Sequence, residues 1–208
     1  MHKYLCTLFF VGLSLMLLGQ SQISLKNASF EDEPQDATCP AGWIECEPET
    51  TPDILPGPWG VHTEPSDGET FMGIITRNNG TFESVGQRLS KPMKANECYT
   101  FSLDLAHSRT YAGYNMPLRL KIYAGSSRCG KNQLLGETEL ITHQEWQSYS
   151  FEFVTKGAYE YILFEAAFGN GLFGSYKGNI LLDACSAIEL CQRVENTPEP
   201  VNEGLPRG

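Results

Sequence analysis

Apolar residues recur at every second position along this chain, and that period restricts it to strands. Tyr99, Phe101, Leu103 and Leu105 share one side of a run whose other side is Thr100, Ser102 and Asp104. Leu118, Leu120 and Ile122 alternate with Arg119, Lys121 and Tyr123, and Tyr149, Phe151 and Phe153 with Ser148, Ser150 and Glu152. Successive strand residues point to opposite faces, so such runs bury one face and wet the other. Further strands are predicted at 70–76, 84–90, 159–166 and 179–187. Asn78-Asn79-Gly80, Gly125-Ser126-Ser127, Lys156-Gly157 and Lys177-Gly178 punctuate them as turns. Helical periodicity is hard to find, and 20 Gly with 12 Pro argue against long helices. Seven or eight half-buried strands at this spacing predict an all-β fold: a two-layer antiparallel β-sandwich with a jelly-roll path.

The chain ends read differently. His2 and Lys3 precede an apolar run from Leu5 to Leu18, and Gly19-Gln20-Ser21 supplies small residues for cleavage, so residues 1–21 are expected to be a signal peptide. A membrane anchor is the alternative, but the run is shorter than the roughly 20 residues a spanning helix needs. No later stretch is apolar enough to span a bilayer. Residues 192–208 are rich in proline and charge and read as a disordered tail. Residues 22–191 between them suffice for one domain with its own core.

Removing the leader takes Cys6 and leaves Cys39, Cys46, Cys98, Cys129, Cys185 and Cys191. An even six in an exported chain predicts three disulfides. Sequence cannot give the pairing, although Cys39–Cys46, bracketing the segment 40–45, is the first one expected. A free buried thiol is the alternative for Cys185. A zinc site is disfavoured, because no CxxC occurs and His62, His107 and His143 stand apart from any cysteine pair.

The balance of 25 Asp and Glu against 15 Lys and Arg disfavours nonspecific nucleic-acid binding, which needs cations to neutralise phosphates. No GxSxG, HExxH, phosphate-binding loop or dinucleotide fingerprint is present. Glu31-Asp32-Glu33 reads as a solvated or cation-bound cluster, and His107, at a strand exit, as a loop histidine bonded to backbone. Catalysis is therefore disfavoured, with a sandwich-fold hydrolase using carboxylates on distant strands as the weakest reading. Residues 32–69 form a long proline-rich excursion carrying Trp43 and Trp59. Trp43 is expected to plug one end of the sandwich, while Trp59, among turn residues, fits a plug or a surface site equally well.

The segment order resembles the galactose-binding-like sandwiches used as carbohydrate-binding modules. Asn27-Ala-Ser-Phe30-Glu31, Cys39-Pro-Ala-Gly-Trp43, Gly68-Glu-Thr-Phe71-Met-Gly-Ile74, Gln87-Arg-Leu89, Cys98-Tyr-Thr-Phe-Ser102, Trp146–Phe153 and Leu181-Leu-Asp183 carry the likeness. More narrowly, Cys39–Cys46, Thr51-Pro-Asp-Ile-Leu-Pro-Gly57, Val85-Gly-Gln-Arg-Leu89 and Gly178-Asn-Ile-Leu-Leu-Asp183 resemble a Bacteroidota cell-surface module of gliding-associated, type IX-secreted and OmpA-linked proteins. The resemblance implies a non-catalytic module binding glycan at the cell surface. The rival reading is an interaction or structural subunit whose partner is an outer-membrane or surface protein. It also implies a structural Ca²⁺ held by Glu31 and Asp183, with carbonyls near Asn27 and Gly68; the alternative is that Asp183 accepts backbone N–H bonds. Sugar binding asks for exposed aromatics beside planar polar groups, and Trp59, His62, Arg77, Asn79, Arg109, Tyr111 and Tyr114 are the candidates. Each also fits ordinary packing or surface. The glycine-rich loop 168–176, with Phe173 and Tyr176, is a further contact edge.

Overall fold

A computed structural model describes residues 22–171 and 174–192. The expected leader, residues 193–208 of the expected tail, and Phe173 lie outside the described residues. The strands are β1 (Ile44–Glu45), β2 (Asp53–Leu55), β3 (Phe71–Thr76), β4 (Ser84–Met93), β5 (Cys98–Ala106) and β6 (Met116–Pro117). They continue as β7 (Arg119–Gly125), β8 (Gln133–Glu137), β9 (Gln147–Val154), β10 (Tyr159–Ala167), β11 (Gly178–Asp183) and β12 (Glu189–Leu190). One sheet runs β1-β4-β10-β7-β8 and the other β12-β5-β11-β3-β2, with β9 on β5 and β6 on β11. Every pairing is antiparallel except β6 with β11. The expected two-layer antiparallel sandwich is the observed fold.

The period-two runs bury as their pattern requires. In β5, Tyr99, Phe101, Leu103 and Leu105 enter the inter-sheet core, while Thr100, Ser102 and Asp104 stay half-buried. They meet Leu120, Ile122, Ile162 and Phe164 of the opposite sheet; each such side chain contributes roughly 1.5–3 kcal/mol of burial. Trp43 does plug this core, its ring 4.9 Å from Phe30 and 5.2 Å from Phe164, its indole N–H donating to the Asn27 carbonyl.

β3 and β11 break the alternation and are buried throughout. Their inner residues Met72, Ile74, Ile180 and Leu182 face the main core. Phe71, Ile75 and Leu181 face outward into a second apolar cluster with Leu55, Val61, Ala106 and Tyr111. The proline-rich excursion and the 107–115 loop thus roof the outer face of this sheet. That roof is what holds Trp59 in place.

The cysteines pair as Cys46–Cys129 and Cys98–Cys191, leaving Cys39 and Cys185 as thiols. This corrects both the expectation of three disulfides and the Cys39–Cys46 pairing. Cys39 packs against the inter-sheet core, where burial pushes its thiol up to about 12. Cys46 instead extends the β1–β4 ladder, its N–H donating to the Ser84 carbonyl. Its sulfur lies over the outer face of the five-stranded sheet, 3.3 Å from where a Cβ on Gly86 would stand. Two residues on opposite faces of one sheet cannot bridge, however close in sequence. Cys185 is a buried thiol, the alternative open for it, but it lies past the end of β11 at Asp183 and not inside a strand.

Candidate functional site

Pro56-Gly57-Pro58-Trp59-Gly60 folds into a single 3-10 turn, Pro58–Gly60, in which Trp59 adopts φ +55°. A bulky residue in the left-handed region costs on the order of 1–3 kcal/mol and persists where its surroundings impose it. Here they do. The Trp59 indole N–H donates to Asp53 Oδ1 at 3.1 Å, and the Trp59 carbonyl accepts from Ala112 N–H at 2.9 Å. Asp53 also accepts the Ala37 N–H on Oδ1 and the Tyr111 hydroxyl on Oδ2. Burial pushes the Asp53 carboxyl up, against the opposing pull of these hydrogen bonds. Tyr114 meets the Trp59 ring edge-on at 6.1 Å, and Lys177 Nζ lies 5.2 Å over Tyr114. The result is an indole 43% exposed and braced from beneath.

The turn borders two clefts. One, of about 410 Å³, is lined by Pro34, Gln35, Asp36, Pro58 and Trp59. The other, of about 280 Å³, is lined by Gly60, His62, Thr63, the segment His107 to Thr110, and Gln144. The first offers an aromatic face beside an amide and a carboxylate. The second offers a guanidinium, imidazoles and hydroxyls. His107 is buried, its Nε2 against the Asn115 carbonyl at 3.1 Å, and burial pulls its imidazole down, toward the neutral form.

Of the sequence candidates, the structure brings Trp59, His62 and Arg109 to these clefts, with Tyr114 packed behind Trp59. Tyr111 is 1% exposed, so its ring has no face for a ligand; its hydroxyl is a brace for Asp53. Arg77 pairs with the fully buried Glu83 at 2.7 Å and with Thr51, and so closes the 77–83 hairpin. Asn79 accepts from the Thr81 N–H and hydroxyl within that same turn. Neither lines either of these two clefts. Sequence reading missed Asp53, Gln35, Asp36 and Gln144. Only Asp53 left a signal, as a carboxylate beside the apolar pair Ile54-Leu55.

Glu31 and Asp183 hold one loop between them. Glu31 accepts the Glu69 N–H at 3.0 Å and the Thr70 N–H at 3.4 Å. Asp183 accepts from the Ser66, Asp67 and Ala184 N–H groups at 2.8, 3.0 and 2.7 Å. Gly68 has φ +68°, a conformation that favours glycine, and a Cβ there would stand 2.0 Å from Glu31 Oε1 and displace the carboxylate. Burial raises the Asp183 carboxyl to about 6, with Asp67 adding to the rise. Carboxylate oxygens are right for Ca²⁺, but the N–H groups already use these lone pairs, and an ion would have to share them. Among the described residues, the three-ligand cluster within 4.8 Å is Cys98, Glu152 and Cys191, whose two sulfurs form a disulfide.

The sandwich is shared with solved structures of low identity. An arabinose-bound α-L-arabinofuranosidase matches 83% of the chain at 13% identity with a TM-score of 0.58; the chain spans only 27% of that enzyme's length. The xylan-binding domain CBM22-1 of Paenibacillus barcinonensis Xyn10C matches over 81% of the chain and 94% of its own length, at 16% identity and a TM-score of 0.50. No protein-family model matches the chain, and no curated protein matches it. The likeness defines the class of fold, a two-layer β-sandwich of the kind seen in that xylan-binding domain.

Proposed function

We propose that the chain is an exported, non-catalytic module that binds carbohydrate at the cell surface, with Trp59 as its stacking platform. The observation that carries this reading is the brace: an exposed indole held in a strained turn by a buried carboxylate and a buried tyrosine. A plug residue would be buried, whereas a solvent-facing aromatic fixed in advance loses little entropy on stacking against a sugar ring. The two disulfides and the expected signal peptide support export. The motif resemblance supports a Bacteroidota surface protein. A glycan array with the 22–192 protein tests the reading. Saturable binding that is lost in Trp59→Ala without a fall in melting temperature is expected; binding unaffected by that substitution overturns it.

The second reading, a subunit of an outer-membrane surface assembly for gliding, type IX secretion or adhesion, draws on a different observation. Leu134 on β8 and Val154 on β9 are 46% and 57% exposed, and Gln133 Nε2 donates to the Val154 carbonyl at 2.8 Å between them. Two bare aliphatics on neighbouring edge strands suit a protein partner. Stoichiometric co-purification with an outer-membrane protein, abolished by Val154→Glu, would favour it. A structural Ca²⁺ on Glu31 and Asp183 is part of the first reading.

A further inference from the structure

A different cleft lies toward the opposite end of β5 from the Trp59 turn. It measures about 420 Å³ and is lined by Lys26, Arg88, Leu89, Ser90, Lys91, Pro92 and Glu160. A smaller one of about 210 Å³ adjoins it through Lys91 and Pro92 and adds Lys94, Glu97 and Tyr99. Tyr99 is near the start of β5 and His107 just past its end, so the two regions stand about 26 Å apart along the strand. Four of the 15 Lys and Arg gather here against two carboxylates, Glu97 and Glu160, a local excess of positive charge on a chain whose acids outnumber its bases by ten. An anionic ligand repelled by the rest of the surface meets its complement at this place.

The cations are set by the fold. Lys26 N–H donates to Gln87 Oε1 at 2.8 Å and Gln87 Nε2 donates back to the Lys26 carbonyl at 3.1 Å, which fixes Lys26 alongside Arg88. Ser90 Oγ accepts the Ser24 N–H at 3.0 Å, leaving its own proton to donate into the cleft. Arg88 spends Nε and Nη2 on a single oxygen, Glu160 Oε2, at 3.1 and 2.7 Å. That pair is largely exposed, and exposed pairs are held weakly, so an incoming anion displaces Glu160 at little cost. The guanidinium fork then meets a carboxylate with two parallel hydrogen bonds.

We infer that this cleft is a second binding site, one that takes a carboxylate-bearing sugar such as a galacturonate residue. The positive cleft stands on its own; the choice of a sugar acid rests on the carbohydrate reading above. Calorimetry at low salt with oligogalacturonate, neutral xylan oligomers and polyglutamate tests both parts. The Arg88→Ala Lys91→Ala double variant should weaken oligogalacturonate binding about tenfold or more, and added salt should weaken it further. Glu160→Gln removes the competing carboxylate and should tighten binding about two- to fivefold, a gain that misfolding cannot produce. Trp59→Ala should leave oligogalacturonate binding unchanged, which separates this site from the neutral-glycan site. The proposal is overturned if oligogalacturonate does not bind, if the double variant binds it normally, if Glu160→Gln weakens it, or if Trp59→Ala abolishes it. Equal affinity for polyglutamate overturns the sugar assignment.

Discussion

Asp53 illustrates how one residue can carry both folding and recognition. It is buried beside Ile54, Leu55 and Tyr111 and accepts three hydrogen bonds; its removal strands the buried Tyr111 hydroxyl, while the Ala37 and Trp59 N–H groups can turn to water. A buried donor left without a partner costs about 1–3 kcal/mol. Asp53→Ala should therefore lower unfolding free energy by about 1–3 kcal/mol in urea titration. It should also weaken glycan binding with Trp59 still present, because the indole is no longer fixed. Asp183 gives a pH signature. Its carboxyl titrates near 6 in the fold and near 3.8 when exposed, so the native state holds its proton more tightly. Stability from this group is therefore full below about pH 4 and is lost as pH rises through 6. The stability margin of the native chain over Asp183→Asn should shrink over that range by on the order of 2–3 kcal/mol in EDTA. Millimolar calcium, if Asp183 ligates it, reverses the trend; an identical profile with and without calcium rules that ligand out. Little of this was legible beforehand. The sequence places Tyr111 and Trp59 in similar loops, and only the fold decides that one braces and the other faces solvent.

The hairpin joining β3 to β4 is closed from inside. Glu83 is fully buried and accepts from Thr51 N–H, Ile75 N–H and Arg77, tying the hairpin to the middle of the excursion. Burial pushes its carboxyl up, and Arg77 and the N–H donors pull the other way. Removing one partner of such a pair strands the other. Glu83→Ala should cost about 3–5 kcal/mol, and Glu83→Leu combined with Arg77→Met markedly less, as read by thermal unfolding. The strands themselves were largely legible where one face is wet: β5, β7 and β9 follow their alternation. β3 and β11 carry continuous apolar runs instead, Phe71-Met-Gly-Ile-Ile75 and Ile180-Leu-Leu182, since both faces are covered. An observer of the sequence sees that such a strand is buried, but not that the excursion is what buries its second face.

Over the whole molecule the two disulfides close long loops. Cys46–Cys129 spans 83 residues and Cys98–Cys191 spans 93. Loop-closure entropy alone gives each about 4–5 kcal/mol. Lys131 reinforces the first, pairing with Glu47 and Glu165 beside Cys129. The 22–192 protein should release two thiols to a denaturing titration without reductant and six after reduction, and reduction should lower its melting temperature well beyond any single side-chain change. Three disulfides would leave none. The pairing could not be read from spacing, because each bond joins segments that only the sandwich brings together.

The second of these bonds also sets a direction. Ile23 pairs with Ile188, and Cys191 is bonded to Cys98 at the start of β5, so the described chain enters and leaves at one pole. The Trp59 turn stands toward the other. A tether close to Gln22 or Gln192 would leave the tryptophan outermost and the basic cleft on the inner side. Mounted in that way, and on the proposed readings of the two clefts, the protein would meet one ligand on its outward-looking side and acidic material on the side nearer its tether.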